Sequence, residues 1–585
     1  MAITFRIWLQ MKAFSTSGSE VPGGHTSEPI THDRDRGIRW YFWGYDSKHI
    51  LYVQDAGGNE NWRLYSVNLE NKKVRDLTPF ENVQANVVKT SMEHPGELLV
   101  ALNKENDAAH DVYRLTIATG ELSLVAKNPG NVIGWVVDAD LNIRGACEAK
   151  QDGGMDLLIR DDENSDWRTI VSWDSEDAMS SRPLSFTKDG RELYVIDSRN
   201  TNAGRLVRMN AKDGTYSVIA EDPQYDVGEV MFDPDTYEVQ AVEFVRERKQ
   251  WTALKAAVEE DFLAIGRLHD GDFRISSRDL EDSRWLITFQ SDRESTAYYI
   301  YDRHSRMGQF LFHDNHLLAE FEMAPMEPIF FTSRDGLTIH GYITFPQGQR
   351  ESVPMVLNVH GGPWGRDHWG FHSEHQWLAN RGYACMSVNF RGSTGYGKEF
   401  LNAGNKEWAG TMHNDLVDAV EWAVRMGYAD PDRVAIYGAS YGGYAALVGA
   451  TFTPDLFCCA VDIVGPSNLV TLIRSIPPYW APMLAMLHKR VGNPDLEEEF
   501  LHSRSPLFKA NAIKIPLLIA QGANDPRVKQ TESEQIVDAL RERGLNFEYL
   551  LFPDEGHGFA KPENRLKFYV TAEKFLARHL AGRNE

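Results

Sequence analysis

Three residues that are far apart in the sequence have the types and the settings of a nucleophile, a base and an acid. Ser440 lies in residues 438–442 (GASYG), between an apolar segment at 433–437 and a run of small residues. This G-x-S-x-G pattern is typical of a nucleophile elbow, in which glycines are needed because a Cβ would collide with the neighbouring strand and helix. A glycine-rich turn with an unreactive serine has the same local pattern, but it lacks suitable partners downstream.

Those partners follow two later segments with the pattern of buried strands. Asp525 comes after the apolar segment 515–521, and His557 comes after segment 547–552. Catalytic groups collect at the carboxyl ends of parallel strands. The chain order Ser, Asp, His is the one that α/β-hydrolases use. We therefore predict that His557 takes the proton of Ser440 and that Asp525 fixes the tautomer of His557.

Two further acids, Asp554 and Glu555, lie too near His557 in sequence to reach its far nitrogen, so we expect them to be solvated loop charges. An oxyanion also needs two fixed donors. We predict the backbone N–H of Tyr441, directly after the nucleophile, and that of Gly362, in the loop after the strand-like segment 355–359.

Four motifs in order resemble the prolyl oligopeptidase family, and most closely its acylaminoacyl-peptidase and dipeptidyl-peptidase-like branch. They are residues 360–363 (HGGP), 389–397 (NFRGSTGYG), 438–444 (GASYGGY) and 554–557 (DEGH). The resemblance covers the chain from about residue 31 onward. It implies an α/β-hydrolase domain capped by a β-propeller, and cleavage of short peptides that can reach an enclosed site.

The resemblance also maps functional residues onto this sequence. It places the triad on Ser440, Asp525 and His557, and the oxyanion donors on Gly362 and Tyr441. Arg527 matches a position that faces the substrate in acylaminoacyl peptidases. From the residues alone, Arg527 has two interpretations: it holds a substrate carbonyl or carboxylate, or it only braces the Asp525 loop against acids of the propeller.

A chain of 585 residues is too long for one core and predicts two large domains. Residues 1–30 show little periodicity and are predicted to be a disordered leader. Residues 31–324 show repeated units of roughly forty residues with short alternating strands, which is typical of propeller blades. Six blades can be counted, whereas the family usually has seven or more, so closure with six or seven stays open.

The second domain is predicted over residues 325–585. Residues 325–328 (PMEP) are interpreted as the interdomain linker because prolines interrupt both periodicities. Beyond them strand and helix patterns alternate, which predicts a doubly wound, mostly parallel sheet. The predicted fold class is therefore an α/β hydrolase with an N-terminal β-propeller.

Composition limits the partners and the compartment. The net charge of −23 disfavours nucleic acid and anionic membranes as partners. The first fourteen residues are too short and interrupted for a membrane span. The four cysteines form no C-x-x-C motif, and we expect buried free thiols in a cytoplasmic protein. A homo-oligomer is possible.

No cofactor or metal is predicted, since the sequence has no G-x-G-x-x-G fingerprint or phosphate loop. His368, His372 and His375 have spacings that suit a metal on a helix, but without a fourth ligand we expect a wet rim. Residues 259–261 (EED) either anchor a substrate amino terminus or, as we expect, form a solvated helix face.

Four aromatic residues are equally well explained as pocket lining or as core: Trp364, Trp369, Tyr479 and Trp480.

The leading functional hypothesis is a serine peptidase that hydrolyses short or N-blocked peptides through an acyl-enzyme. One alternative is an esterase, amidase or acyltransferase for a small non-peptide substrate, because a triad alone does not distinguish these reactions. A more remote alternative is a non-catalytic propeller scaffold.

Overall fold

The computed structural model describes residues 18–19, 28–38 and 40–583. The predicted leader, residues 1–30, falls mostly outside the described residues. Within them, the chain forms a series of small antiparallel sheets followed by one sheet of eight strands.

The first part is a β-propeller, as predicted, and the described residues form six blades. Six sheets follow one another along the chain, and in each the neighbouring strands are consecutive in sequence. The fifth sheet along the chain has three strands and is followed by the helix Ala256–Ile265, whereas each of the other five sheets has four strands. The strands are, blade by blade, Trp40–Trp43, His49–Gln54, Arg63–Asn68 and Val74–Asp76; Ala85–Thr90, Glu97–Asn106, Ala109–Thr116 and Leu122–Ala126; Val132–Val137, Ile143–Ala149, Met155–Ile159 and Arg168–Trp173; Arg182–Phe186, Glu192–Asp197, Arg205–Asn210 and Tyr216–Ala220; Val227–Phe232, Val239–Val245 and Lys249–Ala253; and Asp272–Arg278, Arg284–Gln290, Ala297–Asp302 and Met307–His313.

The first and sixth blades are neighbours in space. Burial raises the pKa of Tyr41 in the first blade, and the nearby phenol of Tyr298 in the sixth blade raises it further. Lys188 of the fourth blade also forms an ion pair with Glu93 of the second blade, at 3.5 Å. The six described sheets therefore form a ring.

The second part is an α/β-hydrolase sheet. Its eight strands lie in the order β1-β2-β4-β3-β5-β6-β7-β8, and all pairs from β4 to β8 are parallel. The strands are β1 Met326–Thr332, β2 Thr338–Thr344, β3 Val353–Val359, β4 Ala384–Asn389, β5 Ala429–Ala439, β6 Cys459–Ile463, β7 Leu517–Gly522 and β8 Phe547–Phe552. The helices are Ser373–Asn380, Gly397–Asn402, Thr411–Arg425, Tyr441–Phe452, Leu469–Arg474, Leu484–Arg490, Glu498–Ser503, Gln530–Glu542 and Pro562–Leu580, with 3₁₀ turns at His316–Glu320, Pro478–Met483 and Pro506–Ala512.

The interpretation of residues 325–328 as a linker is wrong for most of the segment. Met326 begins β1, and Pro328 pairs with Tyr342 of β2. Proline is tolerated here because β1 is an edge strand, where one side of the backbone needs no partner.

The two domains share an apolar core on one side of their interface. One cluster of buried residues joins Tyr225 and Val242 of the propeller to Phe331 and Tyr396 of the hydrolase domain. The rings of Tyr225 and Tyr396 lie 5.9 Å apart. The propeller is therefore packed against the hydrolase domain through hydrophobic contacts as well as ion pairs.

Candidate active site

The turn that carries Ser440 has the predicted strained geometry. Ser440 joins β5 to the helix Tyr441–Phe452 with φ +60° and ψ −118°. A Cβ at Gly438 would lie 2.5 Å from the backbone of Gly442, and a Cβ at Gly442 would overlap the carbonyl oxygen of Val359. Glycine is therefore required on both sides of the serine, as the pattern predicted.

Ser440, His557 and Asp525 form one hydrogen-bonded chain. Nε2 of His557 lies 2.9 Å from Oγ of Ser440, and Nδ1 lies 2.7 Å from Oδ2 of Asp525. This arrangement can remove the hydroxyl proton while the carboxylate orients the imidazole.

The carboxylate of Asp525 is fixed from its other side. Its Oδ1 accepts hydrogen bonds from the N–H groups of Arg527 and Val528, at 2.9 and 3.0 Å. Asp525 is 2% exposed. Hydrogen bonds to an ionised group are stronger than neutral ones, so the Asp525 side chain is held in one orientation.

The two predicted oxyanion donors lie beside the serine. Tyr441 is the first residue of its helix, so its N–H has no partner within that helix. Gly361 passes so close to the elbow that a Cβ there would lie 3.4 Å from Cβ of Ser440. Gly362 follows at φ +122° and lines the same cavity as Ser440 and Tyr441.

The loop at 360–365 is supported by the NFRGSTGYG motif. The ring of His360 stacks on Phe390 at 4.5 Å, and its Nε2 lies 3.0 Å from Oγ of Ser393. Arg391 is buried and donates to Asp415 and Asp335, at 2.7 Å in each pair. These contacts fix the motif behind the loop that carries Gly362.

A cavity of about 360 Å³ opens in front of Ser440 and His557. Its far wall comes from residues 472–491 of the hydrolase domain, and Met179 is contributed by the propeller. Most of the lining is apolar: Met179, Trp364, Trp408, Leu472, Ile473, Ile476, Trp480, Met483, Met486, Leu487 and Val491.

Of the four aromatic residues that could line a pocket or belong to the core, two line the cavity and two do not. Trp364 and Trp480 line the cavity. Trp369 does not: it lies under Arg248 of the propeller, whose guanidinium carbon is 3.7 Å from the ring centroid. Tyr479 donates from its hydroxyl to Glu60 at 3.3 Å.

Arg527 lies between the cavity and the propeller. It lines the cavity, and its Nε donates to Oε2 of Glu60 at 2.9 Å. Glu60 is 8% exposed and has φ +57°, a left-handed conformation that few residues other than glycine adopt. Sequence reasoning missed Glu60, because 467 residues separate it from Arg527 and no local motif marks it.

The expectation that Glu555 is solvated is wrong. Its side chain is fully buried and accepts a hydrogen bond from Nη1 of Arg36 at 2.8 Å. It also accepts from the N–H groups of Ala560 and Lys561, at 3.0 and 2.7 Å. Asp554 is more exposed and pairs with Lys561 at 2.9 Å. These donors hold the buried carboxylate of Glu555 in place, which the sequence alone does not reveal.

The three spaced histidines do not converge on a metal site. His375 is buried, with Nδ1 at 3.0 Å from Thr344 Oγ1 and Nε2 at 2.8 Å from Ser387 Oγ. Burial lowers the pKa of His368 to about 4. Across the described residues, no group of three or more His, Cys, Asp or Glu side chains could hold a metal ion.

The acidic patch at 259–261 is only partly solvated. Glu259 and Glu260 are exposed, but Asp261 is buried and accepts from Tyr301 Oη at 3.0 Å and Arg303 Nε at 2.9 Å. The expectation of a solvated face is therefore wrong for Asp261.

The cysteines are free thiols: Cys147, Cys385, Cys458 and Cys459. In the part of the chain that the structure describes, no helix is both long enough and apolar enough to cross a membrane.

Comparison with known proteins places these features in a family. The profile described as the prolyl oligopeptidase family matches residues 369–583, a range that contains Ser440, Asp525 and His557. The chain is 45% identical over 566 residues to dipeptidyl aminopeptidase BIII of Pseudoxanthomonas mexicana, covering 95% of this chain and 82% of that protein. This chain belongs to the prolyl oligopeptidase family. It is a serine peptidase, as the sequence motifs predicted.

Other similarities agree with the prolyl oligopeptidase family. The chain is 35% identical over 599 residues to dipeptidyl peptidase family member 6 of Caenorhabditis elegans, covering 96% of this chain and 81% of that one. A puromycin-hydrolyzing peptidase of Mycobacterium tuberculosis superposes with a TM-score of 0.76 at 19% identity, covering 97% of this chain and 91% of that one. The last similarity shows the shared fold of propeller and hydrolase.

Proposed function

We propose that this serine peptidase releases dipeptides from the free amino termini of short peptides, with Ser440, His557 and Asp525 as its triad. The observation that carries the proposed hydrolytic chemistry is the continuous chain of hydrogen bonds from Ser440 Oγ through His557 to Asp525, at 2.9 and 2.7 Å.

In the proposed reaction, His557 Nε2 accepts the proton of Ser440 as Oγ attacks the scissile carbonyl carbon. The N–H groups of Gly362 and Tyr441 donate to the resulting oxyanion. The protonated His557 then gives its proton to the leaving amine, and the C–N bond breaks. Water repeats the sequence on the acyl-enzyme, with His557 again as the base, and frees the carboxylate product.

Dipeptide release is supported by the relatives and by one ion pair. Two relatives that match nearly the whole chain are named as a dipeptidyl aminopeptidase and as a dipeptidyl peptidase family member. Beside the cavity, Arg527 and Tyr479 hold the carboxylate of Glu60 through its Oε2, and its Oε1 accepts no hydrogen bond from the described residues. Oε1 can therefore accept from the ammonium group of a substrate, while the free nitrogens of Arg527 reach a carbonyl of the same dipeptide.

The cavity supports a preference for a large apolar side chain before the scissile bond. Its lining includes three tryptophans and three methionines: Trp364, Trp408, Trp480, Met179, Met483 and Met486. An apolar side chain is favoured in such a lining, whereas a carboxylate would lose its hydration without gaining a partner.

The test compares dipeptidyl anilides that differ in one feature at a time. We expect a free amino terminus with Phe or Leu before the anilide to give the highest kcat/KM, and the N-acetylated or Asp-containing analogues to be at least about tenfold poorer, the loss for one charged hydrogen bond. Faster cleavage of the acetylated substrates would favour release of N-blocked residues instead, and turnover of simple esters alone would favour the esterase alternative.

Glu60→Gln separates amine recognition from chemistry. We expect this variant to lose the preference for a free over an acetylated amino terminus while keeping its rate on a small ester. Asp177→Asn is the matched control, because it weakens another ion pair between the domains, Asp177–Lys398 at 2.6 Å, whose residues do not line the cavity.

The compartment we propose is the cytoplasm, and the four free thiols support it. Cell fractionation with an antibody to the chain tests this location.

A further inference from the structure

The loop that carries His557 is clamped between the two domains. Gly556, the residue before His557, lies against Gly58 of the propeller and Gly522 at the end of β7. A Cβ at Gly58 would overlap the backbone nitrogen of Gly556, and a Cβ at Gly522 would overlap its carbonyl oxygen. The backbone next to His557 therefore has no room to move while the domains are packed together.

Ion pairs fasten the same loop to the propeller. Arg36 donates from Nε to Asp55 at 3.1 Å and from Nη1 to Glu555 at 2.8 Å. Both carboxylates are nearly buried, with side-chain exposures of 4% and 0%, so little solvent screens these charges. Lys561, on the other side of His557, pairs with Asp35 at 2.8 Å.

Glu555 connects Arg36 to the loop on both sides of His557. Its carboxylate accepts from Ala560 and Lys561 as well as from Arg36. These hydrogen bonds join the two ends of the loop that carries His557, residues 555 and 560–561, and Arg36 binds the carboxylate that joins them.

We propose that Arg36 and Gly58 of the propeller segment are positioning residues for His557, so that the propeller completes the catalytic geometry rather than only covering it. The proposal rests on the proposed role of His557 as the general base. Neither residue lines the cavity, so both act on the substrate only through the His557 loop.

The expected effect is on the chemical step. A displacement of about 1 Å in a catalytic group costs on the order of 10²-fold in rate. Since the other residues that line the cavity stay in place, kcat is expected to fall while KM changes little.

The sharpest test compares Gly58→Ala with Gly57→Ala in the full-length protein. Both glycines have left-handed backbones, at φ +86° and +61°, so alanine strains both turns. Only the methyl group of the Gly58 variant would overlap the backbone of Gly556; that of the Gly57 variant would lie 3.3 Å from the side-chain amide of Asn524. We expect kcat to fall at least tenfold more in Gly58→Ala.

Arg36→Ala gives an independent arm, with Lys398→Ala as its control. Lys398 also makes an ion pair between the domains but lies away from the His557 loop. For each variant, kcat, KM, thermal unfolding and the rate of Ser440 labelling by a fluorophosphonate probe are measured. We expect Arg36→Ala to lower kcat and the labelling rate together, and Lys398→Ala to change neither by more than about twofold.

The outcomes separate the two levels of the account. If the wild-type protein reacts with the probe independently of His557, the proposed function fails. If labelling requires His557 but Gly58→Ala matches Gly57→Ala in kcat, and Arg36→Ala matches Lys398→Ala, the positioning role is overturned and the proposed function stands. A rise in KM with unchanged kcat in Gly58→Ala and Arg36→Ala would also overturn the positioning role.

Discussion

Glu60 of the propeller and Arg527 of the hydrolase domain form an ion pair beside the cavity, with Oε2 and Nε 2.9 Å apart. The arginine side chain is 42% exposed and the glutamate side chain 10%. The pair therefore joins the two predicted interpretations of Arg527: it braces the Asp525 loop against a propeller acid, and it also faces the cavity.

Arg527→Ala tests which interpretation governs function. Because a half-exposed ion pair contributes about 0–1 kcal/mol, we expect little change in thermal unfolding. Peptide kcat/KM should fall about tenfold or more, through loss of a charged hydrogen bond, while a small neutral ester is hydrolysed at nearly the wild-type rate. Equal losses on both substrates with a lower melting temperature would show that Arg527 only braces the loop.

A second prediction concerns Asp462, on β6 next to the strand of Ser440. It is fully buried, and its Oδ2 has no hydrogen-bond partner among the described residues. Burial raises its pKa from 3.8 to about 8. Between these values the folded state binds one proton more than the unfolded state, so stability rises as pH falls and is lost as pH rises.

The slope from Asp462 alone is about 1.4 kcal/mol per pH unit between roughly pH 5 and 7. Asp462→Asn removes that titration, so its free energy of unfolding should depend less steeply on pH over this range than that of the wild type. Denaturant unfolding at several pH values measures the difference. Parallel curves for the two proteins would show that Asp462 does not carry the shift.

The sequence could predict that Ser440, His557 and Asp525 meet because each lies in a local pattern: a glycine-flanked elbow, or a loop directly after an apolar strand. Their catalytic roles stay a prediction. The boundaries of β8, Phe547–Phe552, also follow from its apolar run. The burial of Glu555 and Asp261 could not be predicted from the sequence, because their pairing with Arg36 and Arg303 depends on contacts between distant segments. Local sequence shows a charge but not its surroundings.

The same reason explains the missed residues of the propeller. Glu60 and Gly58 lie in the segment between two blade strands, and only the packing of the domains brings them to Arg527 and Gly556. The prolines at 325 and 328 led to the wrong prediction of a linker where a strand begins. An edge strand tolerates proline, which a central strand excludes.

A third prediction concerns substrate size. Met179 of the propeller lines the cavity, and Glu60 of the propeller pairs with Arg527 of the lining, so the propeller borders the cavity in front of Ser440. We expect short peptides to be cut and folded proteins and casein to be spared. Casein digestion at a rate comparable to that of dipeptidyl anilides would contradict a cap that restricts access.

The most direct test of the account is covalent labelling of Ser440 by a fluorophosphonate probe. Activation of its hydroxyl depends on His557 at 2.9 Å, so the wild-type protein should be labelled and Ser440→Ala should not, with both equally folded by circular dichroism. His557→Ala should label at least about 10³-fold more slowly, the scale of loss when a triad member is removed. Labelling of Ser440→Ala at the wild-type rate, or of His557→Ala without loss, would contradict the proposed triad.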